Sequence, residues 1–196
     1  MILPIVAYGS PVLKRKALPI SKDHPNLDTL IANMWETMYA ANGVGLAAPQ
    51  IAQSIRLFIV DTAPFAEDEA FAKEEVAFLK TFKKAFINPT ITEEKGAQWE
   101  FNEGCLSIPD IRENVNRKTH VTLRYCDENF EEHTHTFSGL AARVIQHEYD
   151  HIEGILFTDH LSPLKKRLLK GKLNAIAKGN INSEYPMKFP VKNRNR

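Results

Sequence analysis

Residues 138–154 read SGLAARVIQHEYDHIEG, and the rest of the chain is best read outward from them. Ser138 is a helix-start residue, Gly154 a helix-stop residue, and no breaker lies between Leu140 and Glu153. Four residues separate His147 from His151. That spacing advances a helix by one turn and about 40°, so both imidazoles share a face and reach one ion, with Glu148 beside them. The stretch predicts a metal-binding helix that carries its own candidate general base.

A catalytic ion needs a third protein ligand and one open position for water or substrate. Cys105 leads, in Glu103-Gly104-Cys105-Leu106-Ser107, because a thiolate suits a borderline-soft divalent cation and Gly104 allows close backbone approach. Spacing alone leaves His160, and the strand pair His133 and His135, open as alternatives. Cys126 falls on a strand and is assigned no chemistry.

Upstream, residues 25–40 place Leu27, Leu30, Ile31, Met34 and Met38 at helical spacing after Pro25 and Asn26, which predicts an amphipathic core helix. Asn42, Gly43 and Gly45 then break it. Residues 55–60 (IRLFIV), 85–91 (AFINPTI), 97–101 (AQWEF) and 119–126 (THVTLRYC) read as strands, the last turning at 127–129 into EEHTHTF. Residues 61–84 read as a surface excursion with a short helix. Ser162-Pro163 opens a second C-terminal helix. Short strands followed by helices predict one α+β domain built on antiparallel sheet.

The composition excludes several classes. The 196-residue chain is 43% hydrophobic, enough to bury a core, and has no apolar run of membrane-spanning length. Its first residues lack the order of a secretory signal, so a cytoplasmic location is the default expectation, as is a monomer. Two cysteines do not make a disulfide framework. The net charge of +1 hides an asymmetry: from Pro163 onward ten Lys and Arg face the single acid Glu184, a local +9 that leaves −8 elsewhere.

Three segments in this order, Gly43-Val44-Gly45-Leu46-Ala47-Ala48-Pro49-Gln50, Glu103-Gly104-Cys105-Leu106-Ser107 and Gln146-His147-Glu148-Tyr149-Asp150-His151, resemble the signature motifs of the bacterial peptide deformylase family. The likeness runs from Tyr8 to about Leu169. It implies antiparallel sheets packed around a central metal-binding helix, with a C-terminal helix, and a catalytic domain over residues 1–175 followed by a basic tail, 176–196. It also implies a hydrolase that removes formyl from the N-formylmethionine of newly made polypeptides and releases formate. Cys105, His147 and His151 would hold Fe2+, with Zn2+ or Ni2+ able to substitute. Glu148 would act as general acid and base, with the Gln50 amide and the Leu106 backbone N–H as oxyanion donors.

By the same resemblance, substrate backbone would pair with Val44, Gly45 and Gly104. The methionine pocket would use Val44, Phe101, Leu140, Arg143, Val144 and the ring of His147, with Arg143 at the rim, and Arg112 would contact downstream carbonyls. Glu103 is expected to pair with Arg117 beneath the site. Two other readings share the helical motif: a zinc metalloprotease, and a structural metal closed by a fourth protein ligand. The basic C-terminus suggests contact with ribosomal RNA.

Overall fold

The computed structural model describes residues 1–67 and 73–190. Five strands, β2 (Gly45–Ala47), β3 (Leu57–Asp61), β4 (Lys83–Cys105), β5 (Ile108–Cys126) and β6 (Glu132–Ser138), form one antiparallel sheet in that order. β3 is buried along its whole length, which explains the unbroken apolar run in the sequence. Phe58 and Val60 point to one face, Leu57 and Ile59 to the other.

The first face packs on α3 (Gly139–Ile152) through Ala141, Ala142, Val144, Ile145 and Ile152. The second packs on α1 (Leu27–Ala40), whose Leu27, Ile31, Met34 and Met38 are the buried stripe anticipated from the spacing. Eleven of the 14 residues of α3 are buried, so its polar side chains are held inside the protein. Gly154, at φ +76°, follows its last turn as the stop signal requires.

The separate strands expected at 85–91 and 97–101 are one strand, β4. Register shifts near Ile87/Thr90 and Lys95/Gln98 interrupt its alternation, which is why the pattern reads as two. Between β3 and β4 the excursion forms a 3-10 turn, Ala63–Glu67, and α2 (Lys73–Thr81).

α4 (Pro163–Ala177) begins at Ser162, whose hydroxyl accepts the Lys165 N–H, and buries Leu169, Leu173 and Ile176. Beyond it the chain turns back at Gly179, and β7 (Met187–Lys188) pairs in parallel with β1 (Ile5–Val6). Ile181, Met187 and Phe189 join the cluster formed by α4 and Ile108, Ile111 and Val115 of β5. The segment from Lys178 to Pro190, where the basic tail was expected, thus makes packing and strand contacts with the preceding chain; the last basic residues, Lys192, Arg194 and Arg196, lie outside the described residues. Among the described residues no helix is long and apolar enough to cross a membrane.

Candidate metal centre

β4 ends at Cys105, and Leu106 and Ser107 turn the chain into β5, where Cys105 pairs with Ile108 after a bulge that follows Gly104/Arg112. The second motif is thus a hairpin tip, and its bulge brings Cys105 up to the C-terminal half of α3. Cys105 Sγ lies 3.3 Å from His151 Nε2, and ligand atoms of Cys105, His147 and His151 all fall within 4.8 Å of one another. Metal bonds of about 2.3 Å to sulfur and 2.0–2.1 Å to nitrogen, at a tetrahedral angle, separate S and N by about 3.6 Å, so the spacing fits one small divalent ion.

The electrostatics fit as well. The His147 and His151 rings are 5.1 Å apart and nearly perpendicular. Burial disfavours charge on both, but hydrogen bonds to Cys105 and Glu103 hold His147 well above the ordinary imidazole range. Burial, then the neighbouring His147 charge, holds His151 well below it. His147 Nδ1 donates to Glu103 Oε2 at 2.9 Å, which leaves Nε2 available to an ion.

Glu103 is 4% exposed and gathers three cations' worth of donors. Its Oε1 accepts Arg117 Nε at 2.7 Å and Arg143 Nη1 at 2.9 Å; its Oε2 accepts Arg117 Nη2 at 3.0 Å as well as His147. Arg117 Nη1 continues to Asp150 Oδ2 at 2.8 Å, and His160 Nε2 meets the same oxygen at 2.7 Å. His160 is therefore an outer partner of Asp150 and is not in the ligand group. His133 pairs with Asp127 at 2.7 Å, while His135 contacts the Tyr125 hydroxyl at 3.2 Å; both are remote from Cys105 on β6.

Gln50 is 2% exposed, and its orientation is decided by one bond. Oε1 accepts the Ala47 N–H at 2.8 Å, so Nε2 faces Cys105 Sγ at 3.5 Å and Ser107 Oγ at 3.4 Å, presenting donors to the centre. Glu148 is 4% exposed and its Oε2 has no hydrogen-bond partner among the described residues. Burial pushes its carboxyl up to about 7, against the pull of the His147 charge.

Gly45 makes this placement possible. A Cβ there would lie 2.8 Å from Cγ and Cδ of Glu148 and nearer still to Oε1. Gly45→Ala should therefore displace the carboxylate and lower turnover at this site by about 100-fold, as a misplacement near 1 Å does, with ion content unchanged. Kinetics beside metal analysis of the same sample checks it; wild-type turnover would refute it.

These groups open on a cavity of about 830 Å³. Val44, Gly45, Phe101, Gly104, Arg112, Val144 and Leu106 line it as the motifs suggested. Leu140 does not; it is fully buried one layer behind, with Ala66 and Leu79 under Trp99 and Phe101. Arg143 lines the cavity, but from a deeper position than the rim expected for it. It is 2% exposed, not at the rim: its guanidinium stacks over the Trp99 ring, bonds Glu103 and the Val115 carbonyl, and reaches the Trp99 carbonyl. The buried Glu103 carboxylate needs both arginines, and that demand draws Arg143 inward. Arg112 is tied to Asn102, Nε to Oδ1 at 2.9 Å and Nη2 to the carbonyl at 2.7 Å.

The residue patterns missed part of the wall: Pro64 and Phe65 from the excursion, Ile108–Ile111 from the bulge, and Asn182–Tyr185 from the C-terminal return. None carries a spacing signal. Phe65 is one of four phenylalanines in residues 61–84, and nothing in the sequence sets it apart from the others.

Three convergent candidate metal ligands with a buried carboxylate beside a cavity of this size suit a metal-dependent hydrolase. The family model for polypeptide deformylase matches residues 2–167. Peptide deformylase of Christiangramia forsetii is 63% identical over 190 residues, covering 97% of each chain, and that of Flavobacterium johnsoniae 57% over 196, covering 100% of each. A crystal structure of a peptide deformylase from Legionella pneumophila superposes with a TM-score of 0.75 at 36% identity, covering 92% of this chain and 98% of that one. The chain belongs to the peptide deformylase family, metal-dependent hydrolases that remove the N-terminal formyl group from nascent polypeptides. That assignment displaces the metalloprotease and structural-metal readings.

Proposed function

We propose that deformylation proceeds at the Cys105, His147 and His151 centre, with Glu148 as the proton carrier. The observation that carries this reading is the convergence of one sulfur and two imidazoles beside a buried, unpaired carboxylate at the end of a cleft. The donor set suits ferrous iron, zinc or nickel. The resemblance of the three motifs to the family favours Fe2+, with Zn2+ or Ni2+ as substitutes. An ion bound there supplies Lewis acidity, which makes water a nucleophile at neutral pH.

The chain's own residues do the rest. Glu148 takes a proton from the attacking water and returns it to the departing amine nitrogen. Gln50 Nε2 and the Leu106 N–H bind the formyl oxygen as negative charge develops on it. β2 is an edge strand of the sheet, so a peptide can add to it along Val44 and Gly45, with Gly104 facing it and Arg112 further along the cleft. The methionine side chain enters the apolar part of the cavity beside Val44, Phe65, Phe101 and Val144. Glu103, held by Arg117, fixes the His147 ring.

Protein purified without oxygen should contain about one iron per chain and release formate from formyl-Met-Ala-Ser but not from Met-Ala-Ser. Chelation should abolish release and ferrous iron restore it. Cleavage of the unformylated peptide, or turnover that survives chelation, would refute the assignment. A cytoplasmic, monomeric enzyme is the form of this reading, since its substrates are newly made chains. Ribosome contact through the basic C-terminus extends it: α4 exposes Arg167, Lys170 and Lys172, while Lys165 and Lys166 are engaged with Glu113 and the Asp159 carbonyl.

A further inference from the structure

We propose that Tyr185, on the chain returning from α4, is a positioning residue that holds the Cys105–Leu106 turn in its working geometry. The inference deepens the reading above, in which Cys105 ligates and Leu106 donates, and concerns a residue beyond the stretch matched by the family model.

The Tyr185 hydroxyl donates to the Leu106 carbonyl at 2.7 Å. That carbonyl belongs to the same residue whose N–H faces the reacting oxygen, and the preceding residue is the sulfur ligand. Hairpin tips are the freest parts of a sheet, and this one has only Leu106 and Ser107 between the strands. It is tied down from outside its own hairpin. Tyr8 N–H donates to the Ser107 carbonyl at 2.8 Å, and Gln50 reaches the Ser107 hydroxyl at 3.4 Å. Tyr185 supplies the remaining anchor, at Leu106.

The segment that delivers Tyr185 is itself fixed at both ends. Gly179 turns the chain at φ +72°, where a Cβ would be 3.2 Å from the Phe189 ring. After Tyr185, the Ile5 and Ala7 N–H groups donate to the Pro186 and Lys188 carbonyls, each at 2.9 Å. Ser183 Oγ donates to the Tyr185 carbonyl at 2.9 Å and accepts its N–H at 3.4 Å. Burial, then the nearby Cys105 and Asp110 charges, raises the phenol well above its ordinary range, so the hydroxyl remains a donor at every working pH. A side chain needed only for packing would not require that hydroxyl, since the ring already packs beside Leu106 in the α1 cluster.

Tyr185→Phe removes the hydroxyl and keeps the ring. In full-length protein it should lower kcat on formyl-Met-Ala-Ser by about 10-fold, less than the 10²–10³ of outright loss of an oxyanion donor, with KM changed less than about 2-fold. With cobalt(II) in the centre, the thiolate-to-metal absorption band should shift in the variant, because the sulfur is held differently. Circular dichroism and thermal unfolding establish that the variant is folded. A folded, cobalt-loaded variant with the wild-type band and wild-type kcat overturns the proposal. So does a loss of activity explained wholly by a smaller folded fraction. Wild-type protein that shows no thiolate band counts against Cys105 as ligand and removes the basis of this inference with it, so the two failures are told apart.

Discussion

Glu148→Ala should lower kcat for formate release by 10²–10⁴-fold, the range of a general acid–base residue, while the protein stays folded and keeps its ion. Retention follows from the ligand set, since Glu148 is not part of the Cys105, His147 and His151 group. Its buried Oε2 has no hydrogen-bond partner among the described residues, so removal strands no donor there. The pH profile is the sharper check. A base works only when deprotonated, so kcat/KM should rise with pH through the carboxyl's pKa. Burial places that carboxyl at about 7, and a bound cation draws it lower, so the acid limb should lie at or below about pH 7. In Glu148→Gln the limb should vanish with the activity. An unchanged limb, or ion loss in either variant, would overturn the assignment of the proton carrier to Glu148.

Glu103→Ala should destabilise the ion-loaded protein by about 3–5 kcal/mol, the cost of removing one partner from a buried ionic network. Arg143 would keep only backbone carbonyl partners, Arg117 would keep Asp150, and His147 Nδ1 would lose its acceptor. That last loss frees the imidazole ring, so ion affinity should fall by about 10–100-fold. Urea unfolding of loaded protein and competition with a coloured chelator measure the two effects separately. Wild-type values of both would refute the account.

The same carboxyl has a pH signature. Burial raises it, but hydrogen bonds from His147 and Arg117 prevail and hold it far below the usual carboxylate range. A depressed carboxyl stabilises the fold in full above the unfolded value near 4.5, and that contribution fades as pH falls below it. Glu103→Gln should therefore flatten the acid side of the stability profile.

The local patterns that proved legible are those set by nearest neighbours along the chain. The α1 stripe and the α3 pair at positions 147 and 151 follow from helical period, and Gly154 from the conformation a helix stop demands. The α+β class followed from the order of short strands and helices. β4 was read as two strands because its bulges break the period-2 alternation that identifies a strand. Arg143 was misjudged for a different reason: an arginine's exposure depends on whether a carboxylate waits for it in the interior, and Glu103 lies 40 residues away in sequence.

From its residues alone this chain determined a helix able to hold an ion, a carboxylate next to it, and three motifs in family order. Those are matters of spacing, and spacing is written locally. The tertiary structure alone brings the cysteine of a hairpin tip, and not the other candidate histidines, up to His147 and His151, because His160 is drawn to Asp150 and His133 to Asp127. It also decided that Asn182, Ser183, Glu184 and Tyr185 of the C-terminal return form part of the cleft wall. Parallel pairing of β7 with β1 joins opposite ends of the chain, and no periodicity in either end announces a partner so distant.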